Sequence, residues 1–223
     1  MTDYARARQT MVERQIMTAG VTHRPVLDAL RDVPREMFAP AELRHVAYSD
    51  ADLPITPADS GGPRRFLIEP AILARLAQLA DIDADDIVLD IGCGSGYSSA
   101  VLSKLAGSVV AVEEDPRLAA LATETLIELD IGNVAVVAAP LETGYPAEGP
   151  YDVIFLGGSV ETVPNTLLGQ LKEGGRLVCV VGTGPDGMAT CFRLVFGEIS
   201  RRAAFSAAVP PLPGFSAPKV FQF

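Results

Sequence analysis

Between residues 87 and 181 the chain alternates short apolar runs with stretches of helical spacing. Ile87-Val88-Leu89-Asp90-Ile91 has the length and content of a buried strand. Residues 97–106 then place Val101, Leu102 and Leu105 on one helical face. The same alternation predicts a strand over 108–113 and a helix over 116–129, with Asp115 as its N-cap. A strand follows over 134–138, another over 151–156, a helix over 164–171 ended by Glu173-Gly174-Gly175, and a strand over 176–181. The turn 182–187 leads into 190–196, which returns as an antiparallel hairpin. Upstream, residues 4–18 are polar and helix-permissive, with Met11, Val12 and Ile16 apolar. A second helix follows His23-Arg24-Pro25, with Val26, Leu27 and Leu30 on one face, since proline suits a first helical turn. Residues 33–63 are rich in Pro, Gly and Asp and read as irregular, and Pro70 opens a helix through Ala80. The whole pattern predicts an α/β fold: a doubly wound, mainly parallel sheet with an N-terminal helical segment and an antiparallel C-terminal hairpin.

Composition narrows this picture. With 223 residues, 48% of them hydrophobic, the chain has enough apolar content for a full core and reads as one domain with an N-terminal extension. No run reaches the roughly eighteen apolar residues that span a bilayer, and no apolar signal core follows the charged N-terminus. A soluble, cytoplasmic protein without a membrane partner is expected. Cys93, Cys179 and Cys191 are scattered, without a CxxC pair, and read as reduced thiols. His23 and His45 belong to no ligand cluster, so no metal site is expected. The net charge of −10 is unevenly spread: residues 81–161 carry fifteen acids against Lys104 and Arg117 alone. That field disfavours nucleic acid and tolerates a cationic ligand; simple solubility would account for it equally well.

The acidic block contains the chain's most informative turn. A strand ending in Asp90-Ile91-Gly92-Cys93-Gly94-Ser95-Gly96 and feeding a helix lets the backbone bend tightly and approach a ligand closely. The next strand ends at Glu113, 21 residues after Gly92, where an acid can accept hydrogen bonds from both ribose hydroxyls. Two nucleotide classes fit, dinucleotides and S-adenosylmethionine. Asp90 favours the second, because a carboxylate opposes a pyrophosphate but helps to hold a cationic methionine end. The candidate cofactor contacts are Asp90, Gly92, Gly94, Ser95, Gly96, Glu113, Glu114, Pro140 and Leu141. None is assigned a catalytic role.

Several further segments are distinctive: Met11-Val12-Glu13-Arg14-Gln15-Ile16, Val33-Pro34-Arg35-Glu36-Met37-Phe38-Ala39-Pro40 and Ala47-Tyr48-Ser49-Asp50-Ala51-Asp52-Leu53-Pro54-Ile55. Gly149-Pro150-Tyr151-Asp152-Val153-Ile154 and Leu171-Lys172-Glu173-Gly174-Gly175-Arg176-Leu177-Val178 join them. With these segments the chain resembles the protein-L-isoaspartate O-methyltransferases, a family of Rossmann-like, S-adenosylmethionine-dependent enzymes. The resemblance spans about residues 8–182. It implies methyl transfer to the carboxylate of an isoaspartyl residue in a damaged protein or peptide, the ester then closing to a succinimide. It also divides the chain into a helical and substrate-loop segment, 1–80, packed on a cofactor-binding core, 81–223. The oligomeric state is left open.

Three segments depart from the family pattern. Aligned on Pro70, the family's substrate-loop serine is replaced by Ile68, which cannot donate to a carboxylate. Ser60 is one substitute after a loop rearrangement; Arg64 or Arg65 could grip a carboxylate instead, although a solvated basic pair is the plainer reading. The family's Gly-Asp-Gly after the third strand is Ala139-Pro140-Leu141, which removes an acceptor for the adenine amino group, and Pro140 has no N–H. The fourth strand exits through Leu156-Gly157-Gly158-Ser159. These departures keep two other readings open: a methyltransferase for another carboxylate or small molecule, and a cofactor-binding protein without repair activity. Phe215, Val220, Phe221 and Phe223 form an apolar tail, read as packed on the domain or as a lid or dimer contact, reached through Pro210-Pro211-Leu212-Pro213-Gly214.

Overall fold

The structure, a computed structural model, describes residues 3–57 and 61–216. Ser60 and the tail residues Val220, Phe221 and Phe223 lie outside the described residues. In chain order the elements are α1 (Tyr4–Met11), α2 (Arg24–Asp32), β1 (Leu53–Pro54), β2 (Phe66–Leu67), α3 (Pro70–Ala80), β3 (Ile87–Ile91), α4 (Tyr97–Ser103), β4 (Ser108–Glu113), α5 (Pro116–Glu128), β5 (Val134–Ala138), β6 (Tyr151–Val160), α6 (Asn165–Leu168), β7 (Leu171–Val181), β8 (Met188–Val195) and β9 (Glu198–Ser206). Helix starts follow the local chemistry. Pro70 opens α3 where no intrahelical N–H is needed, and the Asp115 carboxylate accepts from the Arg117 N–H at 2.9 Å to cap α5. Residues 12–16 continue α1 as a π-turn, and residues 35–46 are mostly short 3₁₀ turns.

Seven strands form the main sheet in the order β5-β4-β3-β6-β7-β8-β9, and β1 and β2 pair separately. The strands from β5 to β7 are parallel, while β8 and β9 are antiparallel. Strand order reverses direction at β3, between β4 and β6. A doubly wound sheet opens its ligand crevice beyond the strand ends at such a switch point.

Side chains alternate across the sheet, and this divides the core in two. Val88, Val109, Val153, Phe155, Val178 and Val180 face a large cluster built with α1 to α5. Leu89, Ile91, Ile154, Leu156, Leu177 and Cys179 face a second one. The second face has little helix: α6, the turn at Leu141 and the C-terminal Leu212 and Phe215 cover it. Strands buried on both sides read as continuous apolar runs, which is why they were legible in the sequence.

Several elements differ from expectation, among them β6, which runs on to Val160 instead of ending at 156, so that Gly157-Gly158-Ser159 belongs to the strand. Helix α6 has four residues instead of eight, and Leu171 already belongs to the sheet, opposite Tyr151. Gln170 fixes the change of direction: its amide accepts from the Tyr145 N–H at 3.0 Å and donates to the Thr143 carbonyl at 2.9 Å. Glu173-Gly174-Gly175 therefore lies inside β7 and does not end a helix. Strand β9 was not anticipated because its residues are mostly exposed and show no period-two apolar pattern. It forms through a tight two-residue turn, Phe196-Gly197, with φ of 53° and 76°, which covers the free edge of β8.

Candidate active site

The turn after β3 carries three glycines in left-handed conformations: Gly92, Gly94 and Gly96 have φ of 78°, 58° and 96°. No residue with a Cβ adopts such values without strain. The amides of Gly92 and Cys93 both donate to the Val112 carbonyl, at 2.9 and 3.3 Å, tying the turn to the end of β4. Gly96 begins α4. The turn has no room to spare: a Cβ on Gly92 would lie 2.6 Å from Leu212 Cδ2 and 3.0 Å from Arg65 Nη2.

Two carboxylates flank it, both with no solvent exposure. Asp90 lies opposite Ala111 in the register, two residues before Glu113 on β4, so both acids point to one face of the sheet. Asp90 Oδ2 accepts from the hydroxyls of Ser98 and Ser99 at 2.7 and 2.6 Å, while Oδ1 has no hydrogen-bond partner among the described residues. Burial raises the Asp90 carboxyl to about 6, against the lowering effect of the two hydroxyls.

Both oxygens of Glu113 are engaged. Its Oε2 accepts from the Gly94 N–H at 2.8 Å, and its Oε1 from the Asp115 N–H at 3.1 Å. Oε1 also meets Arg65 Nη1 at 2.6 Å, and Arg65 Nη2 donates to the Gly92 carbonyl at 2.9 Å. The Arg65 backbone is held as well: its N–H donates to Thr56 Oγ1 and its carbonyl accepts from Ile55 N–H, each at 2.9 Å. The basic pair is therefore split in role. Arg64 is exposed over the Phe66 ring, with 5.3 Å from guanidinium carbon to ring centre, and Arg65 is buried in an ion pair. Sequence reasoning missed this pair. The available signal was a charged residue opening the apolar run Arg65-Phe66-Leu67-Ile68, since a buried arginine needs a counter-charge.

The remaining candidates sit in different surroundings. The Ser95 side chain is buried and donates to the Phe38 carbonyl at 2.6 Å. Leu141 packs into the second core cluster, while Pro140 is exposed. Glu114 is partly exposed, and burial raises its carboxyl above the ordinary range. Glu113, Glu114, Arg65, Pro116, Ala139 and Pro140 line one cavity of about 730 Å³. Ile68 is buried, and its carbonyl accepts from the guanidinium of the wholly buried Arg35 at 2.9 Å. Gly157 and Gly158 lie in the last four residues of β6, at its exit end, where neighbouring segments approach closely. A Cβ on Gly158 would lie 2.8 Å from Leu212 Cγ, and one on Gly157 would lie 3.0 Å from the Gly92 carbonyl oxygen. Residues 210–215 run along this exit, with Ser159 N–H donating to Pro210 and Leu212 N–H donating to Ser159. Phe215 is buried there, so this part of the tail packs on the domain.

Among the described residues no group of three or more potential metal ligands comes together, and no helix is long and apolar enough to cross a membrane.

Comparison with known proteins gives a consistent result. The family model for protein-L-isoaspartate(D-aspartate) O-methyltransferase matches residues 6–202. Protein-L-isoaspartate O-methyltransferase 1 of Syntrophobacter fumaroxidans is 38% identical over 199 residues, which cover 84% of this chain and 90% of that one. The protein-L-isoaspartate O-methyltransferase of Methanoculleus marisnigri is 41% identical over 177 residues, covering 79% and 78%. A solved protein-L-isoaspartate O-methyltransferase superposes with a TM-score of 0.79 at 27% identity, over 93% of this chain and 66% of that longer one. A Plasmodium falciparum structure described as a putative protein-L-isoaspartate O-methyltransferase, in complex with S-adenosyl-L-homocysteine, shares the fold at 18% identity with a TM-score of 0.74, over 91% of this chain and 96% of that one. On its sequence and its fold alike, this chain is a member of the protein-L-isoaspartate O-methyltransferase family.

Proposed function

We propose that this chain transfers the methyl group of S-adenosylmethionine to a carboxylate of an isoaspartyl residue in a damaged protein or peptide. The observation that carries the reading is the pair of buried carboxylates at adjacent strand ends beside the glycine turn. With Arg65 displaced, Glu113 would accept from the two hydroxyls of a ribose. Asp90 Oδ1, a buried acceptor without a partner, suits the ammonium of a methionine moiety. The cavity beside Glu113, open at Pro140, has the size of a nucleoside site. The residues present fit such a group once Arg65 leaves Glu113. Gly92, Gly94 and Gly96 bring the backbone close to it, and Glu114 and the Ala139–Leu141 backbone border its adenine side. S-adenosylmethionine, when bound, supplies an electrophilic methyl on a sulfonium. The chain's own task is then alignment and exclusion of water, because a carboxylate is already ionised at neutral pH and needs no general base. Leu212, Ile68 and Gly157 give this part of the cleft apolar, close-fitting walls. Residues up to 80 supply the substrate-facing loops, and the free thiols suit a reducing, cytoplasmic setting.

The buried, donor-free Ile68 favours a second reading, in which another carboxylate is the acceptor. Labelled S-adenosylmethionine with an isoaspartyl peptide, and the matching aspartyl peptide as control, separates the two. Transfer to the isoaspartyl peptide alone is expected. No transfer above the control, with cofactor binding demonstrated by calorimetry, leaves the second reading in its place.

A further inference from the structure

Arg65 occupies the acceptors that the nucleoside needs. Its guanidinium lies on Glu113 Oε1 and on the Gly92 carbonyl, and it is 5% exposed. With the amides of Gly94 and Asp115, it takes three of the roughly four acceptor positions that a carboxylate offers. A ribose diol cannot engage both oxygens of Glu113 while the guanidinium stays. Displacing it leaves a buried cation without its counter-charge, which is costly unless another anion takes over.

The anions near this cleft are few. Asp90 is wholly buried beneath the turn, with one oxygen on two serine hydroxyls and the other assigned to the cofactor's ammonium on the reading above; Glu114 faces the nucleoside cavity, and Asp115 on the same cavity is paired with Arg117. The substrate brings a carboxylate of its own. The loop that would receive it offers an isoleucine where the family has a serine. Among the described residues 61–69, Arg65 is the buried cation, whereas Arg64 lies outward over Phe66. A guanidinium fork matches a carboxylate in two parallel hydrogen bonds.

We propose that Arg65 binds the methyl-accepting carboxylate, and that Glu113 holds this arginine in reserve until the cofactor's ribose displaces it. The proposal rests on the reading of Glu113 as ribose acceptor and of a carboxylate as methyl acceptor. Cofactor and acceptor binding are then coupled. Each removes part of the cost that the other meets, and by linkage the coupling is reciprocal.

Calorimetric titration of S-adenosylhomocysteine tests it without turnover. Arg65→Gln is expected to bind S-adenosylhomocysteine about tenfold more tightly than the wild type, because no ion pair has to be broken. Saturating isoaspartyl peptide tightens S-adenosylhomocysteine binding about tenfold in the wild type and leaves it unchanged in Arg65→Gln. In methyl transfer the same variant raises the peptide KM more than it lowers kcat, while Arg64→Gln changes neither. A folded Arg65→Gln that binds S-adenosylhomocysteine no more tightly than the wild type overturns the proposal, as does peptide tightening that persists in it. Should Arg65→Gln fail to fold, Arg65→Lys keeps a charge beside Glu113 and loses the fork. Loss of most of the peptide tightening is expected there, and full retention overturns the proposal. If the wild type methylates no isoaspartyl peptide, the acceptor reading fails by itself, and succinate replaces the peptide in the titrations. Tightening by succinate in the wild type but not in the variant upholds the role of Arg65, and its absence in the wild type removes that role.

Discussion

The ends of β3 and β4 carry one wholly buried carboxylate each, on the same face of the sheet, yet the two acids live in different chemistry. Glu113 accepts from two backbone amides and a guanidinium. Asp90 has two hydroxyls on one oxygen and nothing on the other, and its carboxyl rises to about 6. The two buried carboxylates thus differ in what the fold delivers to them: two amides and a guanidinium to Glu113, and two neutral hydroxyls to Asp90. Glu113 gains its cation from a loop 48 positions upstream in the chain, whereas the hydroxyls on Asp90 come from the helix that follows its own turn.

The most severe way to break this contrast is to remove the charge of Glu113. Glu113→Gln leaves Arg65 buried without a counter-ion and is expected to lower stability by about 3–5 kcal/mol in urea unfolding. The double variant Glu113→Gln/Arg65→Met removes both charges and should return to within about 1 kcal/mol of the wild type. Equal losses in the single and double variants would mean that the pair is not what makes Glu113 costly to replace.

A smaller effect sharpens the other half. Because the Asp90 carboxyl rises from its ordinary 3.8 to about 6, the folded chain holds this proton more firmly than the unfolded one. Its contribution to stability is present below pH 3.8 and is lost as pH rises through 6, by up to about 3 kcal/mol. Asp90→Asn should flatten that part of the profile, measured as urea midpoints from pH 4 to pH 7. On the functional reading, S-adenosylhomocysteine affinity falls in the wild type as pH drops below about 6, since the ammonium needs an ionised partner. An unchanged pH profile in Asp90→Asn would refute the assignment of this slope to Asp90.

The smallest expected effect lies just beyond the site. Asp115 gives Glu113 a backbone amide, while its side chain caps α5. Asp115→Ala should cost about 1 kcal/mol of thermal or urea stability through the lost cap. It should leave the pH slope of Asp90 in place, because the amide is retained. A large shift of that slope would show that the two strand ends are less separate than their hydrogen bonds indicate.

Legibility in the sequence followed the range of the interactions. The glycine turn, the acid at the end of β4 and the Asp115 cap are local patterns, and each stands where its spacing put it. Ile68 was recognised as a departure from a neighbouring proline, and it is indeed a buried apolar side chain. The sequence presents Arg64-Arg65 as a solvated pair, because the partner of Arg65 is 48 residues away and a linear pattern does not report such a contact. Gly157 and Gly158 were noted only as unusual. The assembled fold shows why both are glycines: Gly158 lies under Leu212 and Pro210, and Gly157 lies against the Gly92 carbonyl. Strand β9 was missed for a related reason: an edge strand exposed along its length bears no apolar alternation to read.

The sequence by itself determined the strand–helix order, the parallel sheet, the glycine turn and the acid facing it, because periodicity and turn chemistry are local properties of the chain. Only the tertiary structure decided which charges meet. It seated Arg65 on Glu113, left one oxygen of Asp90 without a partner and laid Leu212 against Gly92. The physical reason is that ionic and close-packed contacts form between segments distant in the chain, and their energy depends on burial that exists only once the sheet and its two faces are assembled.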